Sequence, residues 1–236
     1  MSLICDCSLL ASVPSVNQDC ESATTLREII HARRTEKVLV RPDAGQTLSP
    51  ERLEHYQSLI HQSLIDAGMA PFHFPRGVDD IAEPWRAYSL MQPDARALSL
   101  VLREEMAITS KEPQLLDGCG AVVLMTWLPE SAADGSDAPH LAAKLRRRDE
   151  EHLAATSAMV QNFLLLCTAH GLGNYWSSGG VLGGPDVFKH LSIPTSERLI
   201  GAIFIDVPEA ADQPAERKPG AHRNNRCDRW IRWSLS

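Results

Sequence analysis

The chain has 236 residues, of which 44% are hydrophobic and 22% charged, and its formal net charge is −7. This composition is typical of one globular domain and excludes a disordered or fibrous chain. The acidic balance argues against a general nucleic-acid binder, and no apolar run reaches the ~20 residues that span a bilayer. Six scattered cysteines make no disulfide framework, so we expect a cytoplasmic protein without a metal or membrane partner.

The N-terminal part of the chain contains a leader and two predicted helices. Residues 1–22 carry Cys5, Cys7 and Cys20 without a zinc-site spacing, and we expect them to form a poorly ordered leader before a single domain at 23–236. Thr25 and Glu28 have the spacing of a capping box and predict the start of a short helix. A second helix is expected from Ser49-Pro50 to Gly68, followed by a loop over residues 69–84.

Three strands and two further helices are predicted between residues 86 and 207. The strands cover residues 86–91, 121–128 and 199–207, and the helices cover residues 94–109 and 140–170. The run at 121–128 is apolar throughout, which indicates burial on both faces. The long helix ends at Gly171, and its apolar side comprises Leu153, Thr156, Val160, Phe163, Leu164 and Cys167. Strands that alternate with helices predict an α/β or α+β sandwich built on a mixed sheet.

A cationic segment follows the first helix. Arg33, Arg34, Thr35 and Lys37 place two guanidinium groups, a hydroxyl and an ammonium within five residues. Such a set can bind a phosphate or the polar edge of a flavin, because arginine offers forked donors and lysine a point charge. The same pattern is also common on solvated protein surfaces.

The segment at residues 171–185 is rich in glycine and follows the long helix. It fails the dinucleotide fingerprint because Trp176 stands where a glycine is required, and because a helix, not a strand, precedes it. Glycines at this density would let backbone N–H groups approach a planar ligand closely. An ordinary glycine-rich connector is the alternative.

The basic residues near the C-terminus form a third candidate site. Residues 216–232 contain six basic residues against Glu216 and Asp228, namely Arg217, Lys218, Arg223, Arg226, Arg229 and Arg232. A local cationic cluster on an acidic protein suits a small anionic ligand or an acidic partner surface, and a solvated tail is the alternative. Neither GxSxG nor HExxH occurs, and Cys167 lies on the apolar side of the long helix, where we expect a buried structural thiol.

Several of these segments resemble motifs of the nitroreductase family in order and spacing. The resemblance covers roughly residues 25–225 and is most specific in the long helix and its glycine-rich continuation. Its motifs are Arg33-Arg34-Thr35-x-Lys37, Ala70-Pro71 with Glu83-Pro84-Trp85, Ala158-Met-Val-Gln-Asn162 through Gly171-Leu-Gly173, Leu191-Ser-Ile-Pro194, and the last strand. The resemblance implies an α+β sandwich with a central mixed or antiparallel sheet flanked by helices, and a long central helix at a homodimer interface.

The resemblance also implies a function. Enzymes of this family bind flavin mononucleotide (FMN) between two subunits, take hydride from NADH or NADPH, and reduce a small acceptor such as a nitroaromatic or a quinone. The flavin carries out the chemistry, so no catalytic side chain is required. Carried over by position, the cofactor-binding residues would be Arg33, Arg34, Thr35, Lys37, Ser177, Ser178, Gly179, Gly180, Lys218 and Arg223.

One segment departs from the family pattern. Phe72, His73 and Phe74, with an inserted stretch to Asp80, stand where the family's usual asparagine is expected. These three residues are the candidate acceptor pocket, with His73 as a hydrogen-bond donor. The departure leaves two alternatives open, which are the same fold with dehalogenase or flavin-breakdown chemistry, and a flavin- or partner-binding module without turnover.

Overall fold

The structure is a computed structural model that describes residues 16–40, 47–132, 135, 137–207, 216–219 and 230–232. For residues 16–20 and 216–219 it describes the backbone only. The helices are α1 Val16–Ala32, α2 Pro50–Ala67, α3 Gln92–Glu104, α4 Glu112–Gly118, α5 Pro139–Ala169 and α6 Pro185–His190. The strands are β1 Glu36–Leu39, β2 Trp85–Met91, β3 Ala121–Trp127, β4 Gly173–Ser177, β5 Arg198–Asp206 and β6 Glu216–Pro219, and a 3-10 turn covers Gly180–Gly183.

Helix α1 belongs to a unit of its own, which ends at Ala32. It begins at Val16, within the segment predicted to be a leader, so the expected helix start at Thr25 is wrong. The Thr25 hydroxyl donates instead to the carbonyl of Glu21, 3.1 Å away, as a residue inside a helix does. The order of residues 1–15 lies outside the described residues.

The second unit, from Arg33 onward, is organised around a four-stranded sheet with the order β2-β3-β5-β4. All three strand pairs in this sheet are antiparallel. The predicted α+β sandwich is confirmed, and of the two expected sheet types, mixed and antiparallel, the sheet is antiparallel. β1 and β6 form a separate two-stranded antiparallel ribbon. The predicted strands at 86–91, 121–128 and 199–207 are confirmed with shifts of one residue at their ends.

Both faces of the sheet are covered by apolar side chains. Along β3, Ala121, Val123 and Met125 belong to one core, and the alternating Val122 and Leu124 belong to the other. The first core also contains buried residues of α2 and α5, and the second contains residues of α3, α4 and α6. Burial on both sides explains why this strand is apolar at every position except Thr126, and not only at every second one.

Helix α5 matches the predicted long helix and closes one side of the sheet. Its buried residues recur every three or four positions and include Thr156, Val160, Phe163, Leu164 and Cys167. Leu153 does not belong to this buried side, because it is 39% exposed. The prediction of a buried thiol at Cys167 is confirmed, and burial raises the pKa of that thiol to about 12, so it stays protonated and unreactive.

Two predicted segments differ from the structure. The helix expected at 94–109 ends at Glu104, because Ala107 has a φ of 53° and the N–H of Ile108 folds back to the carbonyl of Leu102, 2.8 Å away. The chain then forms α4, which the sequence did not predict. The glycine-rich segment is not a loop throughout, because Gly173–Ser177 forms an edge strand paired with β5.

Candidate functional site

The cationic segment lies beside the start of β4. Arg33 donates from Nη1 to Oδ1 of Asn174 at 3.2 Å, and from Nη2 to the hydroxyl of Thr35 at 3.4 Å. Thr35 and Asn174 also form an isolated parallel β-bridge. Arg33 and Thr35 are half-buried, whereas Arg34 is exposed. The segment therefore has a fixed position next to the strand that leads into the glycine turn.

The β1–β6 ribbon brings two predicted cofactor-binding residues together. Lys37 pairs in register with Lys218, and Val38 pairs with Arg217. Residues directly opposite each other on antiparallel strands share a face, with Cβ atoms about 5 Å apart. The backbone register therefore brings two positions predicted from the sequence to the same level of the ribbon. Arg223 lies outside the described residues.

The turn after β4 brings the backbone close to its neighbours. Ser177 is 3% exposed, and its hydroxyl accepts a hydrogen bond from the N–H of Gly179 at 3.3 Å. Gly179 has a φ of 93°, and a Cβ there would lie 2.2 Å from Cδ2 of Leu199. A Cβ at Gly180, where φ is 53°, would lie 2.6 Å from Oε1 of Glu112. Glycine is favoured at both positions, because a Cβ would displace a neighbouring side chain and a positive φ is unfavourable for other residues.

The four predicted residues of this turn differ in accessibility. Ser178 and Gly180 are exposed, whereas Ser177 and Gly179 are buried and bonded to each other. The exposed pair can contact a ligand directly. The buried pair supports the shape of the turn.

Three residues that the sequence reasoning missed lie next to the predicted ones, and they are Lys111, Glu112 and Tyr175. The Tyr175 ring stacks on Phe204 at 6.0 Å between centroids, and Nζ of Lys37 lies 4.8 Å from the same ring. Burial favours the neutral phenol. Hydrogen bonds from Ser177 and Lys37, with the charges of Lys111 and Lys37, nevertheless hold the pKa of Tyr175 below its usual value. We call Lys37, Lys111, Tyr175 and Ser177 the lysine–tyrosine cluster.

Helix α4 carries Lys111 and Glu112 to this cluster. Lys111 is its N-cap residue, and Glu112 is 5% exposed and accepts a hydrogen bond from the hydroxyl of Ser110. The helix is held against β1 by a bond from the N–H of Val40 to the carbonyl of Gln114 at 3.3 Å. A Ser-Lys-Glu-Pro start is a usable helix signal, but the helix predicted up to residue 109 left no room for it.

The three candidate pocket residues lie on a different part of the fold. Phe72 packs edge-on against Trp85 at 5.5 Å, and Nδ1 of His73 lies 3.1 Å from Oε2 of Glu151. Phe74 lies under the guanidinium of Arg148 at 4.7 Å. No hydrogen bond, ion pair or ring contact among the described residues joins this trio to the lysine–tyrosine cluster. The acceptor pocket stays a prediction.

A partly buried ion-pair network is connected to these three residues through Arg148, which lies over the Phe74 ring. Glu130 accepts from Arg148 at 3.0 Å and contacts Nε2 of His152 at 2.9 Å. Burial raises the pKa of Glu130, but the hydrogen bonds from His152 and Arg148 outweigh it and lower the pKa below the usual range. Asp149 accepts from the backbone N–H of Glu130 and from Ser131. The network ties the chain after β3 to helix α5.

The described residues contain neither a metal-binding group nor a membrane span. Within them, no three His, Cys, Asp or Glu side chains converge in a way that could hold a metal ion. No helix in that part of the chain is both long and apolar enough to cross a membrane.

The model of the nitroreductase family matches residues 48–205. The match covers well over half of the chain and includes the sheet, the long helix and the glycine turn. The chain therefore belongs to the nitroreductase family, an oxidoreductase family, as its motifs predicted.

Individual relatives agree with this assignment. YfhC of Bacillus subtilis (strain 168), a candidate NAD(P)H nitroreductase, is 34% identical over 74 residues, which are 31% of this chain and 38% of that protein. The nitroreductase CinD of Lactococcus lactis, solved with nicotinic acid, aligns over 85% of this chain and 97% of its own, with 16% identity and a TM-score of 0.52. A candidate NADH dehydrogenase/NAD(P)H nitroreductase of Bacteroides thetaiotaomicron aligns over 90% and 98%, with 16% identity and a TM-score of 0.53. At this identity, the two structures show a shared fold.

Proposed function

We propose that this protein is a homodimeric, FMN-dependent oxidoreductase that takes hydride from NADH or NADPH and reduces a small acceptor such as a nitroaromatic or a quinone. One observation carries the proposal. Stretches of chain that are far apart in sequence lie next to one another in a member of the nitroreductase family: the cationic segment pairs with β6 through β1 and lies beside the start of β4, the strand that leads into the glycine turn.

The residues present fit the chemistry of FMN. The phosphate of FMN is dianionic, and Arg33, Arg34 and Lys218 would hold it, together with Arg223 from outside the described residues. The flavin ring is flat and has polar edges. Its close approach would need a backbone without side chains, which Gly179 and Gly180 provide.

The cations of the cluster would serve the ring itself. FMN, when bound, would supply the hydride chemistry between a nicotinamide and the acceptor, so no side-chain nucleophile would be needed. The negative charge that the ring gains on reduction is stabilised by fixed positive groups nearby. Lys37 and Lys111 are such groups, because Nζ of Lys37 lies 4.8 Å from the Tyr175 ring on β4, and Lys111 begins α4 next to Glu112, which lies against Gly180. We add Lys111 to the binding residues predicted from the sequence.

The relatives' ligands support the reductant and the acceptor class. CinD was solved with nicotinic acid, which shares its ring with nicotinamide, and also with chloramphenicol and 4-nitrophenol, which are both nitroaromatic compounds. The name of YfhC describes an NAD(P)H nitroreductase, which is the same activity. These ligands belong to those proteins, and for this chain they define the compounds to test first.

Exposed apolar side chains on α2 and α5 support the proposed homodimer. Ile65 on α2 is 53% exposed and Leu153 on α5 is 39% exposed, and Met69, just after α2, is 84% exposed. Large apolar groups on neighbouring helices are typical of a surface that is covered in an oligomer. Light scattering of the full chain tests this, and a mass of two chains is the expected result. The cytoplasmic location expected from the cysteines stays a prediction.

Anaerobic reduction tests the proposed function. Full-length protein loaded with FMN is mixed with NADH or NADPH, and the visible flavin absorbance is followed before and after addition of 4-nitrophenol or a quinone. We expect bleaching by at least one nicotinamide and recovery of the colour with an acceptor. Absence of bleaching with both reductants would refute the proposal. Loss of a halide from a halogenated phenol, or breakdown of the flavin in oxygen, would favour the dehalogenase or flavin-breakdown alternative.

A further inference from the structure

Glu112 is a buried carboxylate outside every motif predicted from the sequence. It is the first residue of α4 and is 5% exposed. Its Oε2 accepts a hydrogen bond from the hydroxyl of Ser110. Among the described residues, its Oε1 has no hydrogen-bond partner, and neither oxygen belongs to an ion pair. One oxygen of a charged group is therefore largely withdrawn from water without a partner in this part of the chain.

Oε1 of Glu112 lies against the backbone of the glycine turn. A Cβ built on Gly180 would be 2.6 Å from this oxygen and 3.2 Å from Cδ, so the missing side chain leaves room for the carboxylate. Gly180 itself is exposed. The N–H of Gly179 donates to the Ser177 hydroxyl, and the N–H of Leu182 donates to the carbonyl of Gly179, so these two donors are used within the turn. The oxygen is therefore available to a molecule that binds at the exposed side of Gly180.

An oxygen in this position favours a ligand that carries a hydrogen-bond donor. Burial of a polar atom costs free energy unless a partner replaces the water that it loses, and the cost is larger for a charged group. An ionised carboxylate can only accept, so the partner must offer an N–H or an O–H. Hydrogen bonds to an ionised acceptor are also about twice as strong as those between neutral groups.

The flavin proposed for this turn has donors of two kinds. The pyrimidine edge of its oxidised ring has a single N–H, at N3, and the ribityl chain has hydroxyl groups. The remaining polar atoms of the ring are acceptors, which suit cations such as Lys37 and Lys111 but not a carboxylate. Glu112 therefore complements the cations, because it can bind the donors that they cannot.

We propose that Glu112 is a flavin-binding residue whose Oε1 accepts a hydrogen bond from an N–H or O–H donor of the cofactor beside Gly180. The inference rests on the proposed function, because it takes FMN as the ligand. It gives Glu112 a role in specificity as well as in affinity. A flavin that lacks the donor leaves a buried charge without a partner and is therefore bound less tightly.

Two substitutions of similar shape test the hydrogen bond itself. E112Q keeps an acceptor oxygen, and the Ser110 hydroxyl can accept from its amide, whereas E112M has nearly the same length and no oxygen. In fluorescence titrations of the full chain with FMN, we expect E112M to bind about ten- to a hundredfold more weakly than wild type, and E112Q by no more than about fivefold. E104M removes the same charge from an exposed position at the end of α3 and should bind FMN like the wild type. Equal affinities of E112Q and E112M would overturn the proposal, because a role in packing or in charge alone does not distinguish them.

Two FMN analogues identify the donor. One carries a methyl group on N3, and the other lacks the hydroxyl groups of the ribityl chain. If N3–H is the donor, the difference in affinity between E112Q and E112M disappears with the methylated analogue and persists with the deoxygenated one. If a ribityl hydroxyl is the donor, the two analogues exchange these results. Either pattern supports the proposal, and a difference that persists with both analogues would overturn it.

Unfolding of the protein without flavin gives an independent check. Both substitutions remove the charge, and they differ only in the acceptor oxygen, so E112Q and E112M should have the same urea midpoint if that oxygen has no partner inside the protein. A lower midpoint of E112M would mean that the fold itself uses the oxygen, and the proposal would be overturned.

FMN uptake by the wild type separates this inference from the proposed function. If the wild-type chain takes up no FMN, the proposed function fails, and the inference fails with it. If the wild type binds FMN and E112Q and E112M bind it equally well, the inference alone fails. Uptake by the wild type together with the loss in E112M and its recovery in E112Q is the result that we expect.

Discussion

Arg33 and Asn174 are 141 positions apart in the chain, and Nη1 of the arginine donates to Oδ1 of the asparagine at 3.2 Å. Asn174 is 2% exposed, and its Nδ2 donates to the hydroxyl of Thr168 and to the carbonyl of Leu172. The end of the long helix therefore orients this asparagine, and the asparagine orients the arginine. Through this relationship the cationic segment has a defined place beside the start of β4, the strand that leads into the glycine turn.

R33A should weaken FMN binding. The substitution removes a charge-assisted contact to the phosphate and releases the segment from Asn174, so we expect a loss of about 1.5–3 kcal/mol, or roughly ten- to a hundredfold in the dissociation constant. Fluorescence titration of the protein with FMN measures it. R27A removes the same charge from an exposed site on α1 and should bind FMN like the wild type. Equal affinities of R33A and wild type would contradict the placement of Arg33 at the phosphate.

G179A should destabilise the fold more than G171A does. Both glycines have a positive φ, but nothing lies within 4 Å of a Cβ at Gly171, whereas at Gly179 that atom would lie 2.2 Å from Leu199. We expect about 1 kcal/mol for G171A from backbone strain alone, and a cost of at least about 2 kcal/mol for G179A. Urea unfolding of the two variants compares them directly. Equal midpoints would mean that the turn is not as tightly packed as described.

Tyr175 should ionise at a lower pH than Tyr88. Tyr175 is expected to ionise below the usual value of about 10, and Tyr88 above it, because burial and its bond to Glu197 raise the pKa of Tyr88. A lowered folded-state pKa adds stability that is fully present above the unfolded pKa and is lost as the pH falls through the folded pKa. The unfolding free energy of wild type relative to Y175F should therefore rise as the pH approaches 10. The ultraviolet absorbance of tyrosinate measures the ionisation. If a tyrosine still ionised below the usual value in Y175F, that ionisation would belong to another residue and the lowered pKa of Tyr175 would be contradicted.

E130Q should lower the free energy of unfolding by about 1–3 kcal/mol at neutral pH, since it replaces the carboxylate that pairs with Arg148 and His152 by a neutral amide with one acceptor oxygen. Because the pKa of Glu130 is lowered in the fold, its contribution is present above the unfolded pKa of about 4.3 and is lost as the pH falls through the folded value. The difference between wild type and variant should therefore narrow in acid. E150Q, at an exposed position on the same helix, should change stability by less than about 0.5 kcal/mol. Urea unfolding of wild type and E130Q at several pH values measures this difference. If the network contributed nothing, the two unfolding free energies would be equal at every pH.

The elements that the sequence predicted are those whose own residues carry the signal. β3 and β5 are continuous apolar runs, and α5 repeats its buried residues over 31 positions, so local pattern and final environment agree. β4 was assigned to a loop because residues 171–185 hold six glycines, and glycine is depleted in strands. It is a strand because β5 offers it a partner along its whole length, and such pairing depends on tertiary structure.

The sequence predicted the parts of the candidate site whose residues are clustered in one segment. It missed the residues that only the fold brings together. The cationic segment and the glycine turn are visible in the sequence because their residues are clustered. Lys111 and Tyr175 are isolated in the chain, and only the placement of α4 against β1 and the alternation along β4 bring them to Lys37. The pairing of Lys37 with Lys218 likewise comes from the register of two strands whose paired residues lie 177 to 183 positions apart, which no local pattern encodes.

The central claim is that these separated groups form one FMN site in each chain. Full-length protein is equilibrated with excess FMN, freed of unbound flavin by gel filtration, and its visible spectrum and protein concentration are measured. The account predicts a yellow protein that retains one FMN per chain. A colourless protein after this treatment would contradict it.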